Sequence, residues 1–394
     1  MDCHYYDAAL CRSCTLIEIP HATQIATKRE RLETLVADAR PGEAGRVVWL
    51  DPFVSAESGF RTKAKMVIGG TVDAPTVGIL DADGGGVDLR DCPLYGPELA
   101  AAFPVIAEFI TLARLVPYDL STRGGELKNV IVTVSPGGEL MVRFVTRSTE
   151  PLARVRKHLP WLLGTLPSIA VVTLNILAEH KAVLEGEREI VLTERDALRM
   201  DMGGVALRAR PMSFLQTNTD IARRLYAQVA QWVDEGPSST VWDLYCGVGG
   251  FALHCVGFGR AVVGVETSEQ AVIAARESAK EMADALVPGA AGAEFIAADA
   301  TAWVTGRVGP DVVIVNPPRR GIGVELAEWL ESSSVGRVVY SSCNAVTLAK
   351  DLALMPSLVP VRGRLLDMFP HTEHYEAVVL LERTGSRDGE PLSR

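Results

Sequence analysis

The chain has 394 residues, 48% of them apolar and 22% charged, enough for two or three domains with full cores. A formal net charge of −10 argues against a protein that coats nucleic acid indiscriminately, while leaving room for a local basic docking face. The opening MDCHYYDAALCRSC lacks a basic region followed by an apolar stretch, so no signal peptide is expected; seven cysteines without such a signal point to a reducing cytoplasm.

Cys3, Cys11 and Cys14 open the chain, and Cys92 follows far along in LRDCPLY, giving a C-x7-C-x2-C…C set. Four thiolates suit zinc or a [4Fe–4S] cluster equally well by ligand count. A zinc ribbon uses two close pairs, whereas only one pair is close here, and Pro93 after the last cysteine is a feature of cluster proteins. Residues 1–20 are read as the cysteine segment of a metal site. Residues 21–49 follow as a connector, with ATQIATKRERLETLVADAR an amphipathic helix ended by Pro41-Gly42.

Residues 50–205 read as a β-rich α+β domain that contributes Cys92. KMVIGG and PTVGIL flank a turn, NVIVTV and ELMVRFV flank Ser135-Pro136-Gly137-Gly138, and AVLEG with EIVLTE is a third hairpin candidate. PELAAAFPVIAEFITLAR and PLARVRKHLPWLL supply two helices. From Leu159 to Ala178 the chain carries no charge for 20 residues, the length of a membrane span. Pro160 and Pro167 interrupt it and IAVVTLNI is β-branched, so it is read as a helix end, a turn and a strand, with no membrane partner. Candidate basic patches for such a docking face are Arg61, Lys63 and Lys65; Arg143 and Arg147; Arg154, Arg156 and Lys157; and Arg208 and Arg210, any single one of which reads better as ordinary solvated charge.

From residue 206 to 394 apolar strands alternate with helices, which calls for a doubly wound, mostly parallel α/β sheet with an antiparallel final strand, as in class I methyltransferases. Strand TVWDLYC runs into Gly247-Val248-Gly249-Gly250, where glycines allow positive φ and close approach of a ligand. Strand AVVGVE ends in Glu266, placed to accept hydrogen bonds from the ribose hydroxyls of a nucleoside cofactor. NAD sites use the same devices, but the full GxGxxG of a pyrophosphate cradle is missing. Asp299 closes the next strand, as an adenine contact or a plain turn residue. DVVIV ends in Asn316-Pro317-Pro318-Arg319-Arg320-Gly321; an arginine after NPP, in place of a stacking aromatic, disfavours an exocyclic amine as methyl acceptor. Strand VVYSS delivers Cys343 to the same edge, just before a helix whose N-terminal dipole is expected to lower the thiol pKa.

WDLYCGVGGF, VNPPRRG, VVYSSCNAVTLAKD and DMFPHTEHYE together resemble the uridine C5 RNA methyltransferases of transfer and ribosomal RNA, over essentially the whole chain. The N-terminal cysteines and GFRTKAKM resemble the iron–sulfur branch. The opening, without a preceding OB-type RNA-binding domain, is similar to its short members that act on 23S rRNA. The resemblance implies S-adenosylmethionine as methyl donor, uridine 747 as target and a [4Fe–4S] cluster on Cys3, Cys11, Cys14 and Cys92; a flipped-out base is expected besides, and a monomer, although the sequence does not give the oligomeric state. It also implies Cys343 as nucleophile, Glu376 as general base, and donor contacts from Gln216, Tyr245, Glu266 and Asn316. Spacing alone does not choose Glu376 over Glu373. Many relatives carry Phe at position 245 and Asp at position 316.

Overall fold

A computed structural model describes residues 1–42, 46–180 and 183–384. The chain divides into two units, the first made of residues 1–14, 56–201 and 209–219, the second of 15–55, 202–208 and 220 onward.

The first unit is built on LKNVIVTV and LMVRFVT, strands Leu127–Val134 and Leu140–Thr146, buried at every position. Their β-branched density suits a sheet covered on both faces. Ser135 closes the turn between them: its N–H donates to Glu139 O at 2.8 Å and its Oγ accepts from Glu139 N–H at 3.1 Å. Seven strands assemble in the order 86–88, 75–80, 63–70, 127–134, 140–146, 169–176, 188–191. All neighbours are antiparallel except 140–146 with 169–176, which run parallel because helix Leu152–Thr165 carries the chain back across the sheet. That helix and Pro97–Leu112 bury Phe103, Ile106, Phe109, Val155 and Leu162 against Met66, Val130, Val142, Phe144 and Val172. Each such side chain contributes roughly 1.5–3 kcal/mol by leaving water.

The uncharged run Leu159–Ala178 is the end of one helix, a turn and the strand Ile169–Ile176. No helix among the described residues is long and apolar enough to cross a membrane. The third expected hairpin does not form. EIV lies in strand Arg188–Val191, which pairs with 169–176, whereas residues 183–187 form no strand and Ala182 of AVLEG lies outside the described residues. The Asn175 side chain holds Gly186 by donating to its O at 2.8 Å and accepting from its N–H at 2.7 Å, which fixes this stretch as a loop.

In the second unit, apolar strands separated by helices form one sheet: β1 (Thr240–Leu244), β2 (Ala261–Glu266), β3 (Ala293–Ala297), β4 (Val312–Val315), β5 (Arg337–Ser342), β6 (Leu358–Leu366) and β7 (Glu376–Arg383). Their order is β3-β2-β1-β4-β5-β7-β6, with the short strand Val48–Trp49 outside β6. Only β7 runs against its neighbours, inserted between β5 and β6.

The helix His21–Ala39 is more than a connector. Leu32 and Val36, both almost fully buried, join the core beside Leu348 and Leu352 of helix Ala345–Ala353. Arg40 then donates to Met355 O at 3.0 Å and Pro356 O at 2.6 Å, satisfying carbonyls past that helix's end. The stretch 209–219, expected with the C-terminal part, groups with the first unit. Thr62 N–H donates to Thr217 O at 2.8 Å, and Arg61 and Asn218 form an antiparallel bridge.

Candidate active site

At the carboxyl end of β1 the chain reverses sharply. Tyr245 (φ 75°) and Gly249 (φ 87°) are both left-handed, and a Cβ at Gly249 would stand 3.1–3.2 Å from Phe295, Ala275 and Leu253. Glu266, the last residue of β2, faces this turn. Its Oε2 accepts from Gly247 N–H at 3.1 Å, and its Oε1 accepts from Ser268 N–H at 2.9 Å and the Thr267 hydroxyl at 3.0 Å. A carboxylate has about four lone-pair directions, so an oriented Glu266 retains capacity for a ligand's hydroxyls. Asn316 follows β4 directly and is half-buried. Tyr245, Glu266 and Asn316 thus stand at the carboxyl ends of three parallel strands, where open α/β sheets bind ligands. Asp299 acts locally, accepting from Ala302 N–H at 2.9 Å as a helix cap. Gln216 belongs to the first unit, half-buried in the segment 209–219.

Sequence reasoning passed over Asp243. It is fully buried on β1, accepts from Ala252 N–H at 2.9 Å through Oδ2, and leaves Oδ1 without a partner among the described residues. Burial pushes its carboxyl up to about 7. An acid inside the apolar run VWDLYC was the available signal, because a buried carboxylate is costly without a role.

Cys343 leaves β5 half-buried, one residue before Asn344, whose Oδ1 accepts Val346 N–H at 3.1 Å and caps helix Ala345–Ala353. The expectation of a lowered thiol pKa is corrected here. Burial raises it and the negative charge of Glu376 raises it further, outweighing the nearby positive charge of Arg319. Glu376 opens β7, 1% exposed, and accepts the Ser341 hydroxyl at 2.6 Å; burial holds its carboxyl up at about 7. Glu373 instead has a side chain 71% exposed, 4.0 Å from Arg31. A cavity of about 210 Å³ opens beside the thiol, lined by Arg31, Leu35, Arg319, Cys343, His374 and Tyr375 among others.

Two sets of bonds hold these groups in place. Asn344 Nδ2 and the Thr347 hydroxyl donate to Arg319 O at 3.0 and 3.1 Å. Buried Asp351 accepts from Ile322 N–H at 2.9 Å and from the Tyr340 hydroxyl at 2.6 Å, fixing the far end of NPPRRG. On the other side, Asp367 is fully buried between Lys28 Nζ at 2.9 Å and His21 Nε2 at 2.7 Å, and Gln24 Oε1 accepts from His371 N–H at 2.9 Å. The segment that leads into Glu376 is therefore clamped by helix His21–Ala39.

Cys3, Cys11, Cys14 and Cys92 all lie in the first unit as free thiols. Burial and then the proximity of Cys92, Cys11 and Cys3 push the Cys14 thiol up to about 11, so the four share one neighbourhood. Among the described residues no three His, Cys, Asp or Glu side chains are arranged to hold a single metal ion.

The expected basic patches are largely neutralised. Arg143 is 1% exposed and pairs with Glu189 at 2.7 Å and Glu185 at 2.5 Å; Arg147 pairs with Glu126, Arg154 with Glu150, Arg208 with Glu277, and Arg210 with Asp196. Arg156 and Lys157 are exposed. Arg143 lies on a strand buried at every position, which a reading by charge clusters cannot see.

The profile of the tRNA (Uracil-5-)-methyltransferase family matches residues 304–384, a span holding both Cys343 and Glu376. The chain is 46% identical over 385 residues to the 23S rRNA (uracil(747)-C(5))-methyltransferase of Yersinia pestis (strain Pestoides F), covering 97% of this chain and 99% of that protein. It is 45% identical over 383 residues, with the same coverage, to the protein of that name from Yersinia enterocolitica serotype O:8 / biotype 1B. Among solved structures it resembles the Pyrococcus abyssi tRNA (uracil-54, C5)-methyltransferase in complex with S-adenosyl-L-homocysteine. That match has a TM-score of 0.75 and 26% identity, over 93% of this chain and 85% of the other.

Proposed function

Because the chain belongs to the S-adenosylmethionine-dependent RNA (uracil-C5)-methyltransferase family, we propose that it methylates carbon 5 of uridine 747 in 23S rRNA through a covalent Cys343 adduct. The observation that carries the mechanism is a half-buried thiol at a cavity, close enough to the buried, high-pKa carboxyl of Glu376 to feel its charge.

Carbon 5 of uracil is too weak a nucleophile to take a sulfonium methyl directly. The Cys343 thiolate adds to carbon 6, and the displaced electron pair moves into the ring as an enolate. Carbon 5 then attacks the methyl group, and S-adenosylhomocysteine leaves. Glu376 removes the hydrogen from carbon 5; the electron pair re-forms the 5,6 double bond and expels the thiolate. A carboxyl near 7 suits that base, which must be ionised and yet accept a proton at neutral pH. Glu266, Tyr245 and Asn316 hold the methyl donor, with Glu266 on the ribose. The uridine is flipped out of its stack to reach the sulfur, and a monomer suffices.

Cys3, Cys11, Cys14 and Cys92 would hold a [4Fe–4S] cluster. What supports the reading is the donor type: four thiols in one neighbourhood, the ligands such a cluster takes. The cluster would pin the N-terminal segment to the loop at Cys92, a structural task.

The test is tritium release from [5-³H]uridine RNA. Wild type releases tritium and forms a denaturation-stable complex with 5-fluorouridine RNA; Cys343→Ala does neither. Tritium release by Cys343→Ala would overturn the mechanism, and 5-methyluridine persisting at position 747 in a deletion strain would overturn the target.

A further inference from the structure

The helix His21–Ala39 brings to the cavity a group that nothing in the chemistry above uses. Lys28, Arg31 and Leu35 fall at i, i+3 and i+7, one face of the helix. Lys28 is the buried anchor on Asp367, and Arg31 and Leu35 line the cavity that holds Cys343. Arg31 keeps its side chain 55% exposed and meets Glu373 at 4.0 Å, the outer limit of an ion pair. Its charge is felt at the buried Tyr375, one residue before Glu376. The helix that carries it is packed into the core at Leu32 and Val36 and clamped at Lys28 and His21. A guanidinium held by a rigid element in the lining of a cavity of about 210 Å³, with its carboxylate neighbour Glu373 at 4.0 Å, can accept a phosphodiester.

We propose that Arg31 binds a backbone phosphate of the target nucleotide, fixing the strand so that the extruded base lies against Cys343. The inference rests on reading this cavity as the uridine site. Phosphate contacts position a strand without reading its sequence, so Arg31 serves placement and affinity, and target choice comes from elsewhere. It also explains why a helix outside the methyltransferase sheet is bolted to the segment leading into Glu376: substrate phosphate and catalytic carboxyl are set by one element.

The experiment uses the full-length protein, a hairpin RNA containing the target uridine, and tritium release as the readout. Arg31→Ala is expected to raise KM for RNA about tenfold, far more than it lowers kcat, and to reduce the salt slope of RNA binding by about 1. Arg31→Lys keeps the salt slope and recovers part of the KM. Arg29→Ala removes a charge from the same helix at a residue paired with Glu33 and absent from the cavity lining, and leaves KM at the wild-type value. Unchanged S-adenosylmethionine affinity in Arg31→Ala verifies that the fold is intact. An unchanged KM in Arg31→Ala, or equal effects at positions 29 and 31, overturns the proposal. Tritium release that survives Cys343→Ala would instead mean that the uridine-site reading itself had failed.

Discussion

Removing the Ser341 hydroxyl tests the mechanism at its most sensitive point. Ser341 is fully buried and donates to Glu376 at 2.6 Å, stabilising the ionised carboxylate against the burial that raises it to about 7. A hydrogen bond to a charged group is worth about 1.5–3 kcal/mol, and one pH unit of pKa about 1.4 kcal/mol. Ser341→Ala should therefore raise the Glu376 pKa by roughly 1–2 pH units. At pH 7 the ionised fraction falls from about half to between one in ten and one in a hundred, slowing proton removal about 5- to 50-fold. Attack by Cys343 should not slow, because a neutral Glu376 no longer raises the thiol. Single-turnover reactions separate the two steps, with the covalent complex followed on denaturing gels and proton removal by tritium release. Ser341→Ala is expected to form the complex at least as fast as wild type, retain it at pH 7, and release it at about pH 9. A rate limb at the wild-type pH, or equal slowing of both steps, would refute the reasoning.

Glu376→Gln has a stability consequence of definite sign. Its pKa is raised from 4.5 to about 7, so between those values the native state holds a proton that the unfolded chain has lost. Stability falls as pH rises through that window, and the carboxylate costs roughly 3 kcal/mol above it. The glutamine should therefore raise Tm relative to wild type at pH 8 but not at pH 4, checked by calorimetry. Lys28→Met leaves fully buried Asp367 without its ammonium partner and should cost about 3–5 kcal/mol in urea denaturation. Gly249→Ala forces a side chain into a left-handed turn against Phe295, Ala275 and Leu253. A cost of about 1–2 kcal/mol should weaken S-adenosylmethionine binding roughly tenfold by titration calorimetry. Cys92→Ser, purified anaerobically, should lose most of the bound iron and acid-labile sulfide and unfold at a lower temperature; full retention of both would exclude Cys92 as a ligand.

The sheet of the second unit was legible because its strands are buried apolar runs and its helices keep their period, two signals that survive without tertiary information. The Gly247–Gly250 turn, Glu266 and Cys343 were legible as sequence because each sits at a strand end, where topology rather than packing places ligands. What escaped depends on partners far away in the chain. Asp243 and Arg143 look like any charged residues until the fold buries them. His21–Ala39 read as a connector because its amphipathic pattern states that one face is covered without naming the cover, Leu348 and Leu352 more than 300 residues on. The thiol pKa was misjudged for the same reason: the helix end is local, but burial and Glu376, 33 residues later on an inserted strand, outweigh it.

That misjudgement bears on the order of the reaction. Glu376 raises the Cys343 thiol, so the free site resists holding both groups as anions at once. On the proposed mechanism the conflict resolves itself. When sulfur bonds to carbon 6 its charge passes into the ring, and after methyl transfer the adduct is neutral. The penalty on a Glu376 carboxylate is then lifted at the step that needs it as a base. Arg319, whose positive charge acts on the thiol and whose carbonyl is tied to Asn344 and Thr347, favours the thiolate in the opposite phase, before attack. The charge that leaves sulfur is cancelled by the transferred methyl; Glu376 then ionises by releasing its proton to solvent, and when it takes the hydrogen from carbon 5 the negative charge returns to sulfur. The elevated thiol pKa is consistent with a nucleophile that ionises on substrate arrival rather than one kept permanently reactive in solvent.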